Sequence, residues 1–508
     1  MNFKSFFIQG FFLLCLCIPV FSQGYEIKIS INSRNDTVLL GHFFARNDRF
    51  IVNDTVILNR VGVGVFKGKE KLRKGMYSLV SNKQRIFDFI VGDEQTFEIF
   101  ADTTDLVGKA KATKSRDNEI YFDFQRMNRR TGMRQYELQQ RLQTADSTTK
   151  IEIYKDLQML NINRANELWN MIGDTQGLFI HKYLNSQFPV FMRVPSTNPQ
   201  IWQASLPENA ETWSRDSLNR YQYQWYRSNF FSDFNIFDPD MLRMPSYEEK
   251  LMEYITKVIP QITDSICMEI DKILKKAQEN DEVFNCILVS LYNHYSKMLE
   301  VIVDKGIVPE NIWVHLVEKW YIPFAHWSSD DFIKQRKKDV ADRKHNLIGH
   351  MAPPMVMLMS LPPEHFKAAA KDTAIKFDLH AGKMIQDFRK ELKSKYTVLY
   401  FWDYTCGHCK RGIQDLFHAW EELKDNGLQV ITVQTYLTDR KDKGKWLDFV
   451  NENNMFGQGW FNAWSPYDNK FRDLYNTTNV PVMYLLDENY TIILKRISAE
   501  HLKDIIGK

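Results

Sequence analysis

The chain has 508 residues, which is too long for one hydrophobic core, so about two to four domains are expected. With 44% hydrophobic and 25% charged residues the composition is that of a folded globular protein, neither disordered nor built to span a membrane. Sixty-six Lys and Arg face 63 Asp and Glu, a near balance that gives no reason to expect nucleic acid or an anionic membrane surface as partner.

The first 22 residues pattern as a secretory signal peptide. A short polar start with Lys4 runs into an apolar stretch from Phe11 to Phe21 and ends at Val20-Phe21-Ser22, so cleavage near Gln23 is expected. That stretch is about half of the roughly 20 residues needed to span a bilayer, and none comparable follows. The expected location is therefore the periplasm or cell envelope. Cys15 and Cys17 raise lipidation as an alternative, but each follows Leu, where lipid-modified cysteines usually follow a small residue. Four cysteines then remain: Cys267, Cys286, Cys406 and Cys409. That is too sparse for a disulfide scaffold, so a conspicuous pair is expected to be chemical rather than structural.

Over 23–105, short runs alternate apolar and polar residues, such as Tyr25 to Ile31, Thr37 to Phe44, Thr55 to Leu58 and Ile86 to Val91. Gly41, Asn53-Asp54, Gly75 and Gly92-Asp93 punctuate them. Period two predicts an antiparallel β-sandwich. Over 106–345 the period becomes helical, and helices are expected from Asn118 to Ala145, Thr148 to Met171, Tyr247 to Ala277 and Glu282 to Val303. Trp202, Trp213, Tyr221, Tyr223, Trp225, Tyr226, Phe230 and Phe231 form an aromatic cluster expected to be core. Cys267 and Cys286 flank the turn Gln278 to Asp281 at unequal distances, which favours two free thiols over a disulfide.

From 346 to 508 the elements alternate. A hairpin near Ile375 to Leu379 and a helix from Met384 to Leu392 precede a buried strand, Thr397 to Trp402. A helix from Cys406 to Lys424, closed by Asn426-Gly427, leads to a strand from Gln429 to Gln434. Helices around Lys445 to Asn453 and Asn469 to Tyr475 follow. Strands Val482 to Leu486 and Thr491 to Ile497 and a last helix from Glu500 to Ile506 end the chain. This βαβ order with a closing hairpin and helix is that of a thioredoxin fold.

Between the buried strand and the helix stands Phe401-Trp402-Asp403-Tyr404-Thr405-Cys406-Gly407-His408-Cys409-Lys410. Two cysteines three apart at a helix start present both sulfurs to one side. Unpaired N–H groups and the helix dipole stabilise a thiolate at Cys406, which makes it the expected nucleophile. Cys409, a turn further in, is the expected resolving cysteine. A zinc site would need two further ligands, and no second CxxC or nearby His pair exists, so no metal is expected. Covalent haem would need His at 410, which is Lys, and no other cofactor is implied. A purely structural disulfide is disfavoured by the lone CxxC at this junction. His408 either stabilises the thiolate when protonated or is a solvated helix residue. Asp403 and a water are candidate proton acceptors for Cys409, although a loop Asp more often holds a turn.

The segment 23–105 resembles a β-rich domain of unknown function that precedes thioredoxin domains in envelope proteins of Bacteroidetes. In the helical region, Asn311 to Leu316 with Trp320-Tyr321 resembles a second domain of unknown function commonly found upstream of such thioredoxin domains. With Gly349-His350-Met351-Ala352-Pro353 and Val480-Pro481-Val482, the chain from Leu347 onward resembles the membrane-linked reducing thioredoxins of cytochrome c maturation. The resemblance implies a cis proline at Pro481 facing the disulfide, Val480 offering backbone groups to an extended peptide, and Trp402 and Gly407 helping to tune the site or bind substrate. It also implies protein thiols and disulfides as substrates and a membrane electron donor. Tyr400 stands where thioredoxins carry a buried carboxylate, Thr405 where Trp is usual, and Gln414 where the helix usually has Pro. Gly407-His408 is the dipeptide of protein disulfide isomerase, so an isomerase or oxidant is an alternative to a reductase. An envelope binding protein with a secondary thioredoxin domain is a third possibility, since most of the chain lies outside that domain.

Overall fold

The computed structural model describes residues 24–32, 36–82, 84–187, 206–299, 307–360, 383–436, 440–465 and 469–507. The chain divides into two compact units. The first comprises Met1–Ile259 and Lys276–Ile287, and the second Pro260–Lys275 and Leu288–Lys508.

In the first unit eight strands form two four-stranded sheets. They are β1 (Tyr25–Ile31), β2 (Thr37–Phe43), β3 (Phe50–Ile57), β4 (Val63–Gly68), β5 (Gly75–Ser81), β6 (Gln84–Val91), β7 (Thr96–Ala101) and β8 (Lys111–Thr113). The sheet orders are β4-β1-β7-β8 and β3-β2-β5-β6. Alternation in β1 buries Tyr25, Ile27, Ile29 and Ile31 on one side, as its period-two sequence requires. One pair departs from the antiparallel expectation, since β1 and β7 run parallel. Two long helices follow, Arg116–Thr144 and Ser147–Gly173, and the side chains of Ser115 and Asp146 accept from the first-turn N–H groups of Asn118 and Thr149.

The expected single helix Tyr247 to Ala277 is broken. It runs as Tyr247–Glu253, a wider turn over Tyr254–Val258, an extended Ile259, and a new helix Thr263–Ala277. Pro260 explains the break: it lacks an N–H and pushes the residue before it out of the helical region. The aromatic helix Arg215–Asn229 has no fully buried residue, and of its cluster Phe230 reaches the core; Trp202 lies outside the described residues.

The second unit holds the helices Pro309–Leu316 and Asp330–Lys344 and a seven-stranded sheet ordered β10-β9-β13-β12-β11-β14-β15. Its strands are β9 (Met357–Met359), β10 (Lys383–Ile385), β11 (Tyr396–Trp402), β12 (Leu428–Gln434), β13 (Trp460–Trp464), β14 (Val482–Leu486) and β15 (Ile492–Lys495). β11 is central, parallel to β12 and antiparallel to β14. The helix Gly407–Leu423 makes the crossover between β11 and β12 and ends where Gly427 takes φ 86, which a side chain would resist. Met384 and Ile385, expected in a helix, pair instead with Leu358 and Met357, leaving only Phe388–Glu391 helical. The hairpin expected near Ile375 to Leu379 lies outside the described residues. Among the described residues no helix is long and apolar enough to cross a membrane.

Candidate active site

β11 is buried along almost its whole length, and directly after Trp402 the chain turns. The turn is held by Asp403, whose carboxylate accepts from the Thr405 N–H at 2.8 Å and from the Thr405 hydroxyl at 2.9 Å. Its carbonyl accepts from the Cys406 N–H at 3.1 Å. This is an Asx turn, the structural role that a loop Asp most often has.

Cys406 is the N-cap of the helix Gly407–Leu423, and its sulfur accepts from the Cys409 N–H at 3.4 Å. Within that helix Cys409, Ile413, Leu416, Trp420 and Leu423 recur at helical spacing and form the buried stripe. Cys409 is therefore fully buried, whereas Cys406, outside the first turn, stays partly exposed. Both are free thiols, as are Cys267 and Cys286.

The two thiols differ in acidity for stated reasons. Cys406 ionises below the usual thiol range, chiefly because the Cys409 thiol donates to its sulfur, and also because the N–H groups of Cys409 and His408 point at it; the Asp403 charge opposes this. Burial pushes the Cys409 thiol up to about 12, and its role as donor to Cys406 adds to that. One sulfur is partly exposed and acidic, its neighbour buried and protonated.

Gly407 faces open space, so nothing covers the first turn there. His408 is exposed, and its Nδ1 lies 2.8 Å from the Arg411 guanidinium. Arg can only donate, so Nδ1 is the acceptor in this contact. Trp402 is fully buried, with its ring centroid 5.7 Å from that of Phe449. The Val480-Pro481 bond is cis. Val482 pairs with Phe401, so Pro481 lies at the same end of the sheet as the cysteines. Pro481 is exposed, and the Val480 backbone has no hydrogen-bond partner among the described residues.

Tyr400 donates to the Cys409 carbonyl at 3.3 Å. Burial, reinforced by the two cysteines, holds its phenol well above the ordinary range, so it keeps its proton and cannot take one from Cys409. No sequence signal marks Arg411, which contacts His408, or Gly412, which gives Tyr400 room.

A central βαβ unit with an acidic, partly exposed cysteine at the helix start and a cis proline beside it defines the C-terminal domain as thioredoxin-like. Residues 394–492 match the family model described as thioredoxin-like. Among solved structures, a thioredoxin-like protein from Bacteroides caccae aligns at 16% identity and TM-score 0.36 over 60% of this chain and 96% of that one. A domain of a possible thiol-disulfide isomerase from Cytophaga hutchinsonii aligns at 28% identity and TM-score 0.24 over 32% and 91%. StoA from Bacillus subtilis aligns at 19% and 0.23 over 31% and 99%. No curated protein matches the chain.

Proposed function

We propose that the chain is an exported thiol-disulfide oxidoreductase of the periplasm or envelope, with its redox chemistry in 346–508 and protein disulfides as substrates. The split acidity of the cysteine pair carries this reading. The Cys406 thiolate attacks one sulfur of a substrate disulfide, forming a mixed disulfide and releasing the other sulfur, which takes up a proton. Cys409 then loses its proton to water and attacks the Cys406 sulfur, closing the Cys406–Cys409 disulfide and releasing the second substrate thiol. Two electrons and two protons pass to the substrate, and a membrane-bound dithiol returns the pair to its reduced form. Val480 and Pro481 hold the substrate chain, while Gly407, His408, Asp403 and buried Trp402 shape the motif.

Trapping tests the reading. Cys409→Ser should accumulate a mixed disulfide through Cys406, visible as a reducible adduct by mass spectrometry, and Cys406→Ser should abolish both the adduct and insulin reduction. Insulin reduction unaffected by Cys406→Ser would leave a binding protein instead. A reduction potential above about −200 mV would reassign the direction from reductase to isomerase or oxidant.

A further inference from the structure

A cavity of about 520 Å³ opens beside the cis proline, lined by Arg343, Tyr400, Asn476, Asn479, Pro481 and Arg496 among others. Its charge is one-sided. Arg343, on the helix Asp330–Lys344, donates to Glu310 at 2.6 Å, and Lys495, the neighbour of Arg496, binds the other oxygen of the same carboxylate. The single Glu310 is thereby shared by two cations, and Arg496 has no carboxylate partner among the described residues. The Asn476 and Asn479 carboxamides likewise have no hydrogen-bond partner there. The exposed Pro481 and the unpaired Val480 backbone stand at the edge of this cavity, where an extended chain can add hydrogen bonds.

We propose that this cavity selects the substrate: it takes a carboxylate side chain of an extended polypeptide next to the cysteine under attack, bound by Arg496 and Arg343, with the Asn476 and Asn479 carboxamides holding the adjoining backbone. The proposal rests on the exchange reading above and adds a preference for acidic segments. The cavity lies within the usual size range of binding pockets, roughly 300 to 1,000 Å³, and its lining combines the Arg and Asn side chains with apolar Val482, Met483 and Ile497. A carboxylate entering it meets surplus positive charge without having to displace an existing partner of Arg496.

The test uses two synthetic peptides, each closed by one disulfide and differing only in Glu or Lys beside the attacked cysteine, with rates normalised to their reduction by dithiothreitol. The reduced full chain should favour the Glu peptide in kcat/KM by on the order of tenfold, the value of one hydrogen-bonded charge pair. The preference should shrink in high salt and fall in both Arg496→Gln and Asn479→Asp, the second of which keeps the arginine. Equal rates on the two peptides, or a preference that survives both substitutions, would overturn the assignment. Hydroxyethyl disulfide, small and uncharged, separates the two failures: if the unaltered chain cannot reduce it, the exchange reading itself falls, whereas its reduction together with equal peptide rates removes only the acidic preference.

Discussion

A Cβ placed on Gly412 would stand 2.5 Å from the Tyr400 hydroxyl, so the active-site helix passes the phenol only because it has hydrogen at that position. The next atom of Tyr400, Cζ, is at 3.6 Å, an ordinary contact. The hydroxyl alone makes the fit tight, and that hydroxyl reaches the Cys409 carbonyl.

Gly412→Ala should therefore destabilise the reduced protein by about 1–3 kcal/mol from overpacking, less about 0.5–1 kcal/mol recovered from the better helix former. In a Tyr400→Phe background the same substitution should change sign and stabilise. A double-mutant cycle followed by urea unfolding reads this directly, and additive effects would show that the two residues do not press on each other.

The ionisation of Cys406 should depend more on Cys409 than on His408. The largest stabilising influence on its thiolate is the Cys409 thiol, and His408 acts through its backbone N–H, while its ring is engaged by Arg411. Cys409→Ala should raise the pH at which Cys406 becomes reactive, and His408→Ala should move it less. Iodoacetamide modification of Cys406 as a function of pH measures both, and a larger shift in His408→Ala would refute the ordering.

The same asymmetry fixes how the stability of the dithiol form varies with pH. A free cysteine titrates near 8.5 in the unfolded chain. Folded Cys406 ionises lower, so the unfolded state holds more protons in the window below that value and stability rises with pH there, to be lost as pH falls through the folded value. Cys409, pushed up to about 12, does the reverse: from about 8.5 upward the folded state holds the extra proton and stability falls. Reduced protein should accordingly gain stability relative to Cys406→Ser toward pH 8, and lose it relative to Cys409→Ser above pH 9. Denaturant midpoints across that range decide the point.

Most of the redox domain was legible because its signals are local. Alternation and apolar runs mark β11 and β12, and Cys409 to Leu423 repeat at helical spacing. Asn426-Gly427 ends that helix, and a lone Pro481 opens a strand. β9 and β13 escaped because Met357-Leu358-Met359 is short and Trp460 to Trp464 contains Asn and Ala, so their strand character comes from neighbours in the sheet rather than from propensity. The parallel pairing of β1 with β7 is equally non-local. The partners that complete the site, Gly412 under Tyr400 and Arg343 and Arg496 beside Pro481, are set by tertiary contact, and no spacing in the sequence announces them.

Glu310 provides the last test, because its carboxylate is shared by Arg343 and Lys495 while both it and Lys495 are over nine-tenths buried. Burial already lowers Lys495 to about 8, and Glu310 is what opposes that. Glu310→Gln would leave the ammonium with neutral oxygens only, those of Asn346 and of the new carboxamide, and it should destabilise by about 3–5 kcal/mol near neutral pH. Combining it with Lys495→Met removes the stranded charge and should restore much of the loss. The penalty of the single substitution should also shrink as pH rises toward about 8: without Glu310 the folded ammonium sheds its proton at lower pH than in the unaltered protein, and above about 8 both have shed it and their stabilities climb in parallel. Urea midpoints of the single and double variants at two pH values test this, and a pH-independent penalty would place its origin in the lost Arg343 pair rather than in the Lys495 charge.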